Sequence, residues 1–342
     1  MFDRQKISVY AFALLVLIAG CSSSSNNNEC PEPDTDIVLP ADEAPHDNIM
    51  EWWYYTGHLW TAENEPYGFE VSFFQTWAND QIGYVGHFAI SDPTNNQHYY
   101  AQRIIAPPEK FTSFDIDIGD WNIRGDGTND YLTASMDEFS IDLTLTSTKP
   151  VAYHGQRGVI EMGGGMYSWY YSKTRMDVSG TLTVAGSDKT VSGMAWHDHQ
   201  WGDFSVFASN GWDWFSLQLN DNTEIMIFLL HFKESGTSLT GGTFVDADGC
   251  HTAFTDFNLQ ATGTWLSPNT GAEYPMGWTL TIPDQAIDLT IAPTVDDQEM
   301  DCRSTTLNVY WEGAVEAHGT HAKQVVDGHG FVELAGYGPW GP

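Results

Sequence analysis

Positive charge is what this chain has least of. Lys and Arg number 13 against 46 Asp and Glu, for a formal net charge of −33. The acids are scattered and form no run, so they read as a solvated surface and not as an acidic tail. Such a field repels nucleic-acid phosphates and anionic lipid surfaces, which argues against a nucleic-acid partner. Long apolar runs are missing beyond the first twenty or so residues, so no later segment can span a bilayer as a helix of ~20 residues. Cysteines number only 4, with no Cys-x-x-Cys pair to suggest zinc. A Gly-x-Ser-x-Gly elbow, a phosphate-binding loop and a dinucleotide fingerprint are all absent, which argues against serine-hydrolase and nucleotide chemistry. Helical periodicity is also absent, and short helices are expected only near Pro107–Lys110 and Ala134–Phe139.

The start of the chain reads as an export signal over residues 1–20. Arg4 and Lys6 supply the basic region and Val9 to Ile18 the apolar one. The run ends Leu17-Ile18-Ala19-Gly20-Cys21, which resembles a bacterial lipoprotein cleavage box. The resemblance implies lipidation of Cys21, and several acyl chains together make a stable anchor. Ser22 rather than aspartate follows the cysteine, so the expected location is the cell envelope, at the outer membrane facing the periplasm. Residues 21–45 read as a disordered tether of polar residues, prolines and acids. The exported setting permits a bridge between Cys250 and Cys302.

What the chain does have is aromatic residues, 14% of the total with 14 tryptophans. They sit in strands. Phe69, Val71, Phe73, Gln75 and Trp77 alternate with Glu70, Ser72, Phe74 and Thr76. Ile141, Leu143 and Leu145 alternate with Asp142, Thr144 and Thr146, and Trp278, Leu280 and Ile282 with Thr279 and Thr281. Period two marks sheets with a buried face. Turn signals such as Gly125-Asp126-Gly127, Gly163-Gly164-Gly165 and Asp246-Ala247-Asp248-Gly249 separate the runs. The class is all-β. An echo supports two similar halves: Trp52-Trp53-Tyr54-Tyr55 against Trp212-Asp213-Trp214-Phe215, and Gln200-Trp201-Gly202 against Pro339-Trp340-Gly341. The expected domains are 46–205 and 206–342.

One stretch organises the rest: Gly193-Met194-Ala195-Trp196-His197-Asp198-His199-Gln200-Trp201-Gly202. On a strand, His197, His199 and Trp201 share one face and Trp196, Asp198 and Gln200 the other. His197 and His199 also read as a His-x-His pair, but spacing marks no third ligand, so no metal is expected.

Together with Glu51-Trp52-Trp53-Tyr54-Tyr55-Thr56-Gly57-His58-Leu59, Tyr170-Tyr171-Ser172-Lys173-Thr174-Arg175, Gly211-Trp212-Asp213-Trp214-Phe215, Tyr310-Trp311-Glu312-Gly313 and Gly330-Phe331-Val332-Glu333-Leu334, this stretch resembles the AttH/CrtC family of two-domain lipocalin-like proteins. The resemblance implies two calycin-like antiparallel β-barrels in tandem with an apolar pocket near their junction. It also implies either of two functions. AttH lipoproteins are found beside ABC-type exporters, which implies a lipid- or isoprenoid-binding protein and an exporter as partner. Carotenoid 1,2-hydratases imply an enzyme that hydrates an alkene, with no cofactor. Their catalytic His and Trp fall on His199 and Trp201 here. Their later Tyr and Asp have no counterpart in Ile225-Met226-Ile227-Phe228-Leu229-Leu230.

Hydrating an isolated alkene needs a proton donor and shelter for a carbocation. An imidazolium can donate and an indole face within ~6 Å can stabilise the cation. His199 and Trp201 are therefore the catalytic candidates, with Asp198 able to orient His199 only across a bulge. Trp53, Tyr55, His58, Tyr171, Trp196 and Trp214 are the candidate ligand-binding residues, for a hydrophobic small molecule. Lys173 and Arg175 read as partners of surface acids or of a ligand carboxylate. Glu299 and Glu333 would be donors of raised pKa if buried, although Glu299 reads as exposed and Glu333 as lying on the polar face of its strand.

Overall fold

A computed structural model describes Cys30 and residues 34–78, 81–107, 109–205, 210–232 and 237–341. The expected leader, residues 1–20, and Cys21, the expected lipidation site, lie outside the described residues. The described part is all-β, in two antiparallel sheets curled like half-barrels, as the alternation predicts.

The first sheet contains β1 (Met50–Thr61), β2 (Pro66–Ala78), β3 (Gln81–Asp92), β4 (Gln97–Ile105), β5 (Asp115–Ile118), β6 (Trp121–Gly125), β7 (Asn129–Ser135), β8 (Phe139–Ser147), β9 (Ala152–Tyr153), β10 (Val159–Gly163), β11 (Met166–Val184) and β12 (Ser187–Gly202). The second contains β13 (Trp212–Leu219), β14 (Glu224–Phe232), β15 (Thr237–Val245), β16 (His251–Phe254), β17 (Asn258–Leu266), β18 (Glu273–Ile282), β19 (Ile287–Pro293), β20 (Glu299–Asp301), β21 (Asn308–His321) and β22 (Gln324–Trp340). The strand orders are β4-β3-β2-β1-β12-β11-β8-β7-β6-β5 and β16-β15-β14-β13-β22-β21-β19-β18-β17. The two halves thus repeat one topology: the first strand of each pairs with its last, β1 with β12 and β13 with β22. The Trp-rich entry strands and the Trp-Gly exits of the sequence echo are these paired strands.

Each half buries its own apolar face. Trp53, Phe69, Phe73, Phe88, Trp121 and Leu143 fill the first, and Phe215, Ile227, Trp278, Leu289 and Trp311 fill the second. Side chains of this size stabilise by ~1.5–3 kcal/mol each when fully buried. The opposite faces of β1, β2, β12, β13, β21 and β22 are not solvated. They pack on one another, which is why both faces of the entry strands are aromatic. The approach is close: a Cβ on Gly68 would come within 2.8 Å of Ala314.

Four expectations are corrected. Ala134 belongs to β7 and Phe139 opens β8, with a tight turn closed by Met136 N–H on the Phe139 carbonyl where a helix was expected. No helix forms around Pro107, Glu109 and Lys110 either, and Pro108 lies outside the described residues. Residues 34–45, expected to continue the tether, pack on the first sheet: Ile37 is buried and the Glu43 carbonyl accepts the Trp53 indole N–H at 2.9 Å. Cys250 pairs with Cys30 and not with Cys302, which is buried as a free thiol. The bridge ties this N-terminal strap to the second half, whereas Cys302 is enclosed by Ala89, Met300 and Tyr310.

Candidate functional site

The junction between the sheets holds an aromatic cluster of Tyr54, Tyr170, Trp196, Trp214, Met226 and Phe331. Trp52, Met162, Trp212 and Phe228 pack against it and remain partly exposed, forming a rim. Alternation puts these residues here: Trp52 and Tyr54 lie on the face of β1 opposite Trp53 and Tyr55, and Trp196 and Asp198 on the face of β12 opposite His197 and His199. The rings meet edge to face, Tyr54 on Trp214 at 5.1 Å and Trp196 on Trp214 at 6.2 Å.

Carboxyl groups sit among these rings. Asp198 accepts from the Tyr170 hydroxyl, the Ser172 hydroxyl and the Trp196 indole N–H. Burial nevertheless pushes it up to about 7, against the pull of the three donors. Ser172 in turn accepts from His154 Nε2 at 2.5 Å, and His154 Nδ1 accepts from Thr243 of β15 at 2.8 Å. The His154 tautomer follows from these partners. Glu333 of β22 stands opposite Trp214 in the sheet register and is partly exposed. Burial, with the nearby charge of Asp198, lifts it to about 7 despite a hydrogen bond from Trp212. Deeper in, the Glu312 carboxyl accepts the Tyr54 hydroxyl at 2.7 Å and Glu70 accepts Ser72. Burial lifts Glu70 to about 8 and holds Glu312 well above the usual carboxylate range. Near neutrality the junction therefore carries protonated carboxyls next to aromatic faces.

The other face of β12 is a different environment. His199 is fully buried, flanked by Trp53 at 4.9 Å and Trp201 at 4.7 Å. Its Nε2 lies 2.8 Å from Glu51 Oε1 and its Nδ1 3.2 Å from the Tyr171 hydroxyl. Burial holds its pKa below that of a free imidazole, against the pull of Glu51. A neutral ring with Nε2–H donating to Glu51 and Nδ1 accepting from Tyr171 satisfies both nitrogens.

The predicted residues thus divide between two places. Trp53, Tyr55, Tyr171, His199 and Trp201 face the interior of the first half. His58, Trp196, Trp214 and Asp198 face the junction, where His58 Nε2 donates to the Gly330 carbonyl at 2.9 Å. Tyr55 donates to Asp130 at 3.0 Å inside the first half. Asp198 does not orient His199; Glu51, from the neighbouring strand, does. Lys173, buried, and Arg175, half-buried, are partners of buried acids and not of surface ones: Lys173 binds Asp130 and Glu43 at 2.8 Å, and Arg175 binds Glu224 at 2.5 Å, with Lys149 on the same carboxylate at 2.8 Å. A register shift between Lys173 and Met176 turns Arg175 away from Lys173. Glu299 is buried, accepting from Ser267, Thr270 and Tyr274. Sequence reasoning missed Glu51, Tyr170, Ser172 and His154; for Glu51 the signal was present, since it shares a face of β1 with Trp53 and Tyr55, whereas Tyr170 lies on the face of β11 opposite Tyr171 and Lys173. A cavity of about 460 Å³ near Tyr153, Arg157 and His251 is lined by none of the predicted residues.

Comparison with known proteins places this geometry among relatives. The family model described as AttH-like matches residues 30–337. The crystal structure of an AttH from Nitrosomonas europaea is 30% identical, with a TM-score of 0.80 over 90% of this chain and 100% of that one. Kievitone hydratase from Fusarium solani subsp. phaseoli is 26% identical over 242 residues, 67% of each chain. The crystal structure of kievitone hydratase from Nectria haematococca covers 89% of this chain and 94% of its own at a TM-score of 0.75; at 20% identity that likeness shows the fold.

Proposed function

The chain belongs to the AttH-like family, and on that premise we propose that it adds water across a carbon–carbon double bond of an apolar, isoprenoid-like substrate held at the junction. The observation that carries this reading is the pair of carboxyl groups, Asp198 and Glu333, both raised to about 7 beside one aromatic cluster. Their settings differ, Asp198 buried under three hydrogen-bond donors and Glu333 half-buried at the rim, and that difference divides the roles of base and acid. Glu333, at the rim, gives its proton to one alkene carbon. The cation left on the other carbon is sheltered by the faces of Trp212, Trp214 and Tyr170. Water adds to it and returns one proton to the carboxylate pair, so the enzyme ends as it began. Asp198, held by three donors, keeps the charge. The hydratase relative supports this chemistry over the carrier function expected of an exporter-linked lipoprotein.

We place the protein at the periplasmic face of the outer membrane through a lipid on Cys21, a location that the disulfide between Cys30 and Cys250 supports. Labelling of the expressed protein with radioactive palmitate, abolished by Cys21→Ser, is the expected result; unlabelled protein contradicts it. The reaction is tested by incubating purified protein with kievitone and with an acyclic carotenoid in ¹⁸O-labelled water. Gain of one labelled water by either substrate is expected, and recovery of both unchanged argues against the reading.

A further inference from the structure

We propose that His46, Glu51 and His199 form a binding site for a divalent transition-metal ion of the zinc class. The three come from separate segments: His46 from the N-terminal strap, Glu51 from β1 and His199 from β12. The potential ligand atoms all lie within 4.8 Å of one another. His46 Nδ1 is 2.7 Å and His199 Nε2 is 2.8 Å from the same Glu51 oxygen. A tetrahedral ion with bonds of ~2.0 Å sets its ligand atoms about 3.3 Å apart. Opening the two contacts to Glu51 by about half an ångström and bringing the two imidazole nitrogens, already within 4.8 Å of each other, to that spacing admits it.

The surroundings are those of a metal centre, because each ligand has its own outer partner. His46 Nε2 faces Asp42 at 3.5 Å. His199 Nδ1 faces the Tyr171 hydroxyl at 3.2 Å, and with the ion on Nε2 the Nδ1–H donates to that oxygen. The second Glu51 oxygen accepts the His46 backbone N–H at 2.7 Å and Gln75 Nε2 at 3.2 Å. Gln75 is itself fixed by the Tyr84 hydroxyl at 2.6 Å. Trp201 stacks on His46 at 4.2 Å with planes 2° apart, walling one side. His46 keeps a partly exposed edge, which gives an ion a way in. Two neutral imidazoles and one carboxylate leave a dication a net single charge, beside Asp42 and in a chain of strongly negative charge.

His197, the other half of the His-x-His pair, is not among these ligands; the third and second ligands come from the strap and from β1, which spacing within β12 cannot mark. An ion here clamps the strap to the first and last strands of the first sheet, on the face of β1 and β12 turned away from the junction. The site is thus independent of the proposed hydration chemistry.

Calorimetric titration of chelator-treated protein with ZnCl2 tests the site. One ion per chain and a raised Tm are expected. His46→Ala, on the partly exposed strap, weakens binding at least tenfold, as does Glu51→Gln. His318→Ala leaves it unchanged, since the surface cluster of His318, Glu316 and Asp327 is a separate place an ion can settle. Co²⁺ in place of zinc gives visible bands of a four-coordinate ion, lost in His46→Ala. Failure to bind one ion per chain, or equal binding by His46→Ala, overturns the proposal. If Glu51→Gln does not fold, the His46→Ala result alone decides.

Discussion

Trp214 of the second sheet donates its indole N–H to the Tyr170 hydroxyl of the first, 3.0 Å away, and Tyr170 passes its own proton donor on to Asp198. The carboxylate on one half is thereby set by a tryptophan on the other. Neither half alone has this arrangement, so the chemistry proposed for the junction depends on the two halves staying docked.

Removing the middle of this chain has a defined result. Tyr170→Phe takes a donor from Asp198, one of the groups that pulls its pKa down. The pKa of Asp198 rises, by about one unit for a lost hydrogen bond of ~1.4 kcal/mol. Infrared difference titration of the carboxylate band, against Asp198→Asn to assign it, measures the shift. An unmoved band contradicts the assignment.

Stability depends on pH through the buried carboxyls. Glu70 ionises near 4.5 in an ordinary setting and near 8 in the folded junction. The native state therefore holds a proton that the unfolded chain has lost. Its contribution to stability is whole below the unfolded pKa and is lost as pH rises toward 8. The urea midpoint of the wild type falls between pH 6.5 and 8.5, and Glu70→Gln, which cannot ionise, shows a shallower fall. Parallel profiles contradict the account.

The halves are also pinned by charge. Glu224 of β14 is fully buried between Lys149 and Arg175 of the first half. Glu224→Gln leaves two cations without a counter-charge and costs about 3–5 kcal/mol. Lys149→Met together with Glu224→Gln costs less than the sum of the two single changes. Urea unfolding of the three variants checks this.

The disulfide closes a loop of 220 residues between Cys30 and Cys250. Chain entropy sets its worth at roughly 5 kcal/mol at most, and 2–4 kcal/mol is usual. Cys250→Ser lowers Tm, and limited proteolysis then cuts first in the strap. A protein that keeps its Tm under reducing conditions contradicts this.

The sequence showed the fold because alternation is local. Phe69, Val71 and Phe73 point inward for the reason their spacing states, and the Trp-rich entry strands mark the repeat. It also showed which residues of β12 share a face. It could not show what covers each face. Glu70, Glu312 and Glu333 sit at polar positions of their strands, and only the docking of one sheet on the other buries the first two and half-covers the third. Glu51 and His46 reach His199 from β1 and from the strap, contacts set by β1–β12 pairing and by how the strap packs. The partner of Cys250 was equally hidden, because Cys30 lies in a segment whose composition gives no sign that it packs.

The most direct test of the central claim is the rate of ¹⁸O-water addition to a hydrated substrate, measured from pH 5 to 9 for the wild type, Glu333→Gln and Glu333→Asp. The proposed role predicts a wild-type rate that falls as pH rises through about 7, where Glu333 loses its proton. Glu333→Gln should be slower by 10²–10⁴ at an unchanged Tm, with part of the rate restored in Glu333→Asp. A Glu333→Gln protein that hydrates at the wild-type rate would show that the proton comes from elsewhere.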